Sequence, residues 1–142
     1  MHTVREILQK KGRNIRSVAP DDSVLRALEV MAEHDIGGVV VLEGDKLVGI
    51  LTERDYARRV VLLGRASREL PVMEIMTKEV ICVTPDRTVQ ECMALMTDKR
   101  VRHLPVLEQN VVAGVISIGD VVKATIAERE FEIAQLQSYI SG

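Results

Sequence analysis

Apolar positions along the chain follow two rhythms, and each rhythm occurs twice. The stretch "PDDSVLRALEVMAEHD" places Val24, Leu28 and Met31 four and three residues apart, which is one face of an amphipathic helix with Asp21 or Asp22 as its cap. "PDRTVQECMALMTDKR" repeats the pattern, and Thr88 followed by Glu91 has the spacing of a capping box. Behind each helix stand two short β-branched runs, "GGVVVLE" and "KLVGILT" split by "EGDK", then "HLPVLE" and "VVAGVIS" split by "QN". These predict two hairpins. Each second strand runs into a further helix: "ERDYARRVVLL", stopped by Gly64, and "IGDVVKATIAEREFEIAQLQSYI". The last helix carries Val122, Ile126, Ile133, Leu136 and Ile140, a broken apolar stripe open to packing within the chain or onto a second subunit.

The doubled rhythm is an internal repeat. Shifted by sixty-five residues, Val18 to Arg58 aligns without a gap on Val83 to Lys123, and ten of the forty-one positions are identical. Chance would give about two or three. A unit of about 60 residues is marginal alone, so the two copies are expected to form one intimate pair. The segments before the copies also match, "VREIL" and "VMEIM", but there the register is three residues longer in copy one. The insertion, "QKKGRN", sets Lys11 and Arg13 about a glycine turn, where they could reach a phosphate or stay in a solvated loop.

Composition narrows the function classes. At 142 residues with 46% hydrophobic and 2% aromatic content, the core must be aliphatic. A net charge of -2 gives no long-range pull toward nucleic acid, and stacking platforms for single strands are missing. No apolar run reaches membrane-spanning length and the N-terminus shows no signal peptide, so a cytoplasmic protein is expected. Cys82 and Cys92 read as core filling rather than a disulfide, and neither they nor His2 and His34 have a metal-ligand partner in sequence. No metal is expected.

One motif ends the second strand of both copies: "GILTERD", Gly49 to Asp55, and "GVISIGD", Gly114 to Asp120. A hydroxyl followed three residues later by a carboxylate is a helix cap, and for a single occurrence that suffices. Its recurrence suggests more. The glycines let another group approach the backbone, and a helix N-terminus with Thr52 or Ser117 beside it suits an anion such as phosphate. Asp55 and Asp120 would repel phosphate, so vicinal ribose hydroxyls are their sensible target. Val18, Ile50, Val83, Leu104 and Val115 could wall a slot for the base, or serve only as core.

With these motifs, and with "IMTKEVICVTPDRTV" and "VRHLPV", the chain resembles a tandem cystathionine-β-synthase (CBS) domain protein, a CBS pair or Bateman module, over Val4 to Ile126. The resemblance implies an α/β fold of the α+β type: two β-α-β-β-α repeats packed as an intramolecular pseudo-two-fold pair, here with a long C-terminal helix. The expected division is 1–64 for repeat one with the N-terminal segment, 65–75 for a linker and 76–142 for repeat two. Family members bind AMP, ADP, ATP, NAD(H) or S-adenosylmethionine in clefts between repeats. By that resemblance Asp55 and Asp120 read ribose, Thr52 and Ser117 lie on the phosphate side, and Arg102 and His103 neutralise phosphate. Copy one has Gly37 and Gly38 at the latter positions but carries Arg54 where copy two has Gly119, so the two sites should differ.

No phosphate-binding loop, dinucleotide fingerprint or nucleophile elbow is present. With the resemblance, this implies a non-enzymatic, energy-sensing module that binds an adenine nucleotide, forms a homodimer as paired modules of the family do, and signals to a protein target in trans, with no nucleic acid or membrane partner expected. A small NAD(H)-using or nucleotide-processing enzyme built on His103 and a purely structural dimerisation module are the alternatives.

Overall fold

Strand pairing follows the hydrophobic rhythm. In the computed structural model, which describes residues 2–141, β1 (Ser17–Val18) runs parallel to β2 (Gly38–Glu43), and β2 pairs antiparallel with β3 (Lys46–Thr52). The register runs from Gly38 opposite Thr52 to Glu43 opposite Lys46, with a slip between Val41 and Leu42. The second hairpin, β4 (His103–Glu108) and β5 (Val111–Ser117), turns through Gln109 and Asn110, both at positive φ (53° and 64°). Such a turn matches the strand twist. Val83 adds a single parallel bridge to Val106, so the second copy keeps the topology of the first with its leading strand pared to one residue.

The helices are α1 (Val4–Lys11), α2 (Val24–His34), α3 (Glu53–Tyr56), α4 (Val89–Lys99) and α5 (Ile118–Ser141). Past Tyr56 the chain continues as a π-helical turn, Ala57–Val61. The cap of α2 is Ser23, whose hydroxyl accepts the Arg26 N–H, and not Asp21 or Asp22. Asp22 is engaged elsewhere, accepting the Ala19 N–H at 2.7 Å, which leaves the hydroxyl to take the cap. Thr88 and Glu91 form the expected capping box. Both α2 and α4 end on a left-handed residue, Asp35 (φ 51°) and Arg100 (φ 56°), sixty-five positions apart. The repeat thus extends to cap geometry where the side chains differ.

The buried cores are aliphatic. Val24, Ala27, Val30 and Met31 of α2 pack with Val39, Val41 and Leu51 of the first sheet and with Val72, Ile75 and Met76 that follow it. In the other copy Val89, Cys92 and Met96 of α4, Leu104 and Val106 of β4, Ile116 of β5 and Val121 of α5 are buried. Among the described residues no buried side-chain polar atom lacks a hydrogen-bond partner.

The compact units do not follow chain order. One comprises 14–81 with 109–112; the other comprises 82–108 and 113–142 together with 1–13, so α1 packs with the second repeat. The hydrogen bonds show the exchange. Val4 N–H donates to Arg87 O and Arg5 N–H to Pro85 O, while Val72 N–H donates to Asp22 O and Met73 N–H to Pro20 O. Val89 N–H reaches His2 O as Val24 N–H reaches Leu70 O. Each of these bonds made by the segment before repeat one on repeat two therefore has a counterpart made by the segment before repeat two on repeat one. The matching segments in front of the repeats are each used by the other repeat.

Candidate functional site

The paired motif is a strand end turned into a helix start, and in both copies it is locked first by its own cap. Thr52 N–H donates to Asp55 Oδ2 at 3.0 Å and Asp55 N–H returns to Thr52 Oγ1 at 3.2 Å. Ser117 N–H donates to Asp120 Oδ2 at 2.8 Å and Asp120 N–H returns to Ser117 Oγ at 3.3 Å. The next helix N–H groups are used as well: Glu53 N–H meets Gly37 O at 3.0 Å and Ile118 N–H meets Arg102 O at 2.8 Å. Much of the donor capacity of each helix tip is thus spent inside the protein.

Gly49 and Gly114 do admit a close neighbour, and the neighbour is protein. A Cβ on Gly49 would stand 2.5 Å from Met76 Sδ and 3.0 Å from Thr77 O; one on Gly114 would stand 2.7 Å from Leu8 Cδ2. Met76 and Leu8 occupy matching places in "VMEIM" and "VREIL".

The two carboxylates have different company. Asp55 accepts the Thr77 hydroxyl at 3.2 Å on its other oxygen, and Thr77 is held by two backbone bonds with Ile50, at 2.9 and 3.0 Å. Asp120 accepts instead from an ammonium: Lys11 Nζ lies 2.6 Å from Asp120 Oδ2 and donates to Val115 O at 2.8 Å. Val115 matches Ile50 in the repeat, so the carbonyl that receives a backbone N–H in copy one receives the Lys11 side chain in copy two. Sequence reasoning did not identify Thr77, and it set Lys11 in an inserted turn that would either reach a phosphate or stay solvated. The structure makes Lys11 the last residue of α1, one position before Gly12 turns the chain at φ 96°. Arg13 pairs with Glu108 at 3.1 Å.

Burial pushes the Asp120 carboxyl up, but the Lys11 ammonium and the Ser117 N–H more than offset this, leaving it below the ordinary carboxylate range. A carboxylate held low in the folded state stabilises fully above its unfolded value, about 3.9, and that contribution is lost as pH falls through the folded value. The gap in urea midpoint between the protein and its Asp120→Asn variant should therefore be constant near neutrality and close as the pH drops below about 4. A gap that widened on acidification would contradict the arrangement. Burial also pushes both thiols up, Cys92 to about 11.

Of the remaining candidates, Arg102 is exposed and His103 partly buried where β4 begins, and Arg54 is exposed on α3. Val18, Ile50 and Val83 are buried at 5–8% exposure, Val115 is partly buried, and Leu104 is closed off at 0%. A groove of about 450 Å³ lies elsewhere on the second repeat, lined by Cys82, Val83, Arg87, Glu91, Ala94, Leu95 and Asp98; only Val83 is shared with the candidate site. No cluster of three or more potential metal ligands occurs among the described residues.

The repeated topology and motif agree with comparison to known proteins. The CBS domain family matches residues 4–62 and 72–127. The mitochondrial CBS domain-containing protein CBSX3 of Arabidopsis thaliana is 40% identical over 99% of this chain and 72% of its own length. A CBS-domain protein from Burkholderia ambifaria superposes with a TM-score of 0.85 at 51% identity, covering 88% of this chain and 94% of that one. At 22% identity the fold is also that of the CBS domain pair of protein MJ0100, whose structure holds 5-methylthioadenosine and S-adenosyl-L-methionine (TM-score 0.79; 90% and 98% covered). With two matched domains filling most of its length, this chain belongs to the CBS domain family as a tandem pair.

Proposed function

We propose that the protein is a regulatory module that binds an adenine nucleotide, AMP, ADP, ATP or NAD(H), at the strand–helix junction ending in Asp120, and more weakly at the one ending in Asp55. The observation that carries this reading is Lys11 Nζ at 2.6 Å from Asp120. It sets a phosphate-neutralising cation beside a carboxylate suited to ribose hydroxyls. Ser117, Arg102 and His103 belong to the same repeat and add a hydroxyl, a guanidinium and an imidazole. The Asp55 junction has Thr52 and Arg54, with the neutral Thr77 facing its carboxylate in place of the ammonium. MJ0100, a pair of the same fold, holds adenosine compounds, which agrees with the ligand class.

In this reading the ribose hydroxyls take over the Asp120 oxygen that Lys11 holds, and the released ammonium turns to the phosphate. Lys11 is the end of α1, so occupancy repositions α1 against the second repeat. A ligand shifts this equilibrium only by its differential affinity, and tenfold is about 1.4 kcal/mol. The changed surface is read by a protein partner in trans, and dimerisation and a cytoplasmic setting complete the reading. At the Asp120 junction Val115 would face the base with Val83 behind it, and at the Asp55 junction Ile50 and Val18 would take the same roles.

Lys11→Met separates the roles of the two charges. Calorimetry should show AMP bound about 10-fold or more weakly by the variant, from loss of a charge-assisted contact, while adenosine binds as well or better because Asp120 no longer has a competitor. Equal losses for both ligands would refute the exchange of partners. Absence of binding by AMP, ATP, NADH and S-adenosylmethionine, with no thermal shift, would favour a structural module instead.

A further inference from the structure

The outer half of α5 has no tertiary partner within the chain's own burial pattern: from Arg129 to Ile140 every residue is exposed. Its apolar positions are nonetheless ordered. Val122, Ile126, Arg129, Ile133, Leu136 and Ile140 follow one another at spacings of four, three, four, three and four. That is the heptad seam of a coiled coil, with isoleucine at the three a positions and valine, arginine and leucine at d. Exposure along it is substantial: Val122 41%, Ile126 52%, Ile133 54%, Leu136 63% and Ile140 82%.

We propose that this seam pairs with the same seam of a second copy of the chain, forming a short two-stranded coiled coil. The spacing itself selects the occupant, since knobs enter holes only on a helix of the same period, and another α5 supplies it. β-branched residues at a with leucine at d favour two strands, a pattern met here by the three isoleucines with Leu136. Burying the exposed parts of these five side chains on both helices removes on the order of 1,000 Å² from water, near the threshold of a specific interface. A membrane surface fits less well. Interfacial helices carry lysine and arginine on the polar face, whereas the outer half of α5 has Glu130 and Glu132 against Arg129 alone.

Arg129 is the one charged residue in the seam, and its ion pair with Glu132 at 3.3 Å keeps the guanidinium at the rim. It holds the association below what an all-apolar seam would reach. This surface is independent of the nucleotide site, since none of its residues is among those proposed to touch ligand.

Sedimentation equilibrium on the full chain tests the proposal. The Ile133→Glu/Leu136→Glu double variant should halve the wild-type mass while leaving the thermal midpoint of the body and the nucleotide titration unchanged, because both side chains are exposed. Arg129→Leu should tighten self-association by about 10-fold or more, because it puts an apolar side chain into the seam where the rim guanidinium buries little. A wild-type monomer at the highest concentration reached, an unaltered mass in the double variant, or weaker association of Arg129→Leu would each overturn it.

Discussion

Asp120→Ala is expected to weaken binding of the preferred adenine nucleotide by about 100-fold or more, since two hydrogen bonds to a charged acceptor are lost at about 1.5–3 kcal/mol each. Asp55→Ala should remove only a weaker second phase of the same titration. The difference follows from the groups around each carboxylate: an ammonium at 2.6 Å for Asp120, a threonine hydroxyl at 3.2 Å for Asp55. Asp120 also receives the Ser117 N–H, so the alanine variant loses part of a helix cap and its melting temperature must be followed alongside. Asp120→Asn retains an oxygen for that N–H and should show an intermediate loss of about 10-fold. Equal effects of Asp55→Ala and Asp120→Ala would mean that Lys11 contributes nothing to the preference. Unchanged binding in both would remove the carboxylates from the mechanism.

How far such residues can be read from sequence depends on whether their partners are local. β4 and β5 occupy the runs "HLPVLE" and "VVAGVIS" because alternation and β-branching specify them within a few residues, and the Thr88 capping box needs only three positions. The partner of Asp120 is 109 residues away, and no local pattern points to it. Even so, a signal was present. The match between "VREIL" and "VMEIM" implies a shared task, and Gly49 and Gly114 imply that something lies against them; the structure joins the two facts through Met76 and Leu8. The displaced register hid the connection, because Lys11 has no lysine counterpart in copy two and its place reads as a charged loop. The helix tips show the opposite lesson. Their appeal as anion sites came from counting N–H groups, whereas Gly37 O, Arg102 O and the capping carboxylates already take several of them.

Divergence between the junctions then has a simple origin. Both copies inherit a carbonyl at the strand end and a carboxylate on the helix that need a donor. Copy one satisfies the carbonyl with the Thr77 backbone and the carboxylate with its hydroxyl; copy two satisfies both with Lys11. A backbone donor held in a reciprocal two-bond bridge stays in place, while a lysine at 41% side-chain exposure, on a stem of four carbons, can turn away. The junction built on the mobile cation is the one able to change partners.

That construction makes Leu8 a joint between stability and site. Leu8 is fully buried on α1, with its Cδ2 where a Cβ on Gly114 would clash, and it lies three residues before Lys11. Leu8→Ala should cost about 2–5 kcal/mol, as deletion of a buried leucine does, and lower the melting temperature by several degrees. Gly114→Ala should cost about 1–3 kcal/mol alone through overpacking, but far less in the Leu8→Ala background, because the atoms its methyl group meets are those of the leucine. The matched pair should recover less. Met76→Ala relieves the contact of Gly49→Ala with sulfur but leaves Thr77 O at 3.0 Å, and that carbonyl is bound to Ile50 N–H. Strict additivity of Leu8→Ala with Gly114→Ala in denaturant unfolding would show that α1 does not rest on the second repeat, and Lys11 would then have no route to Asp120.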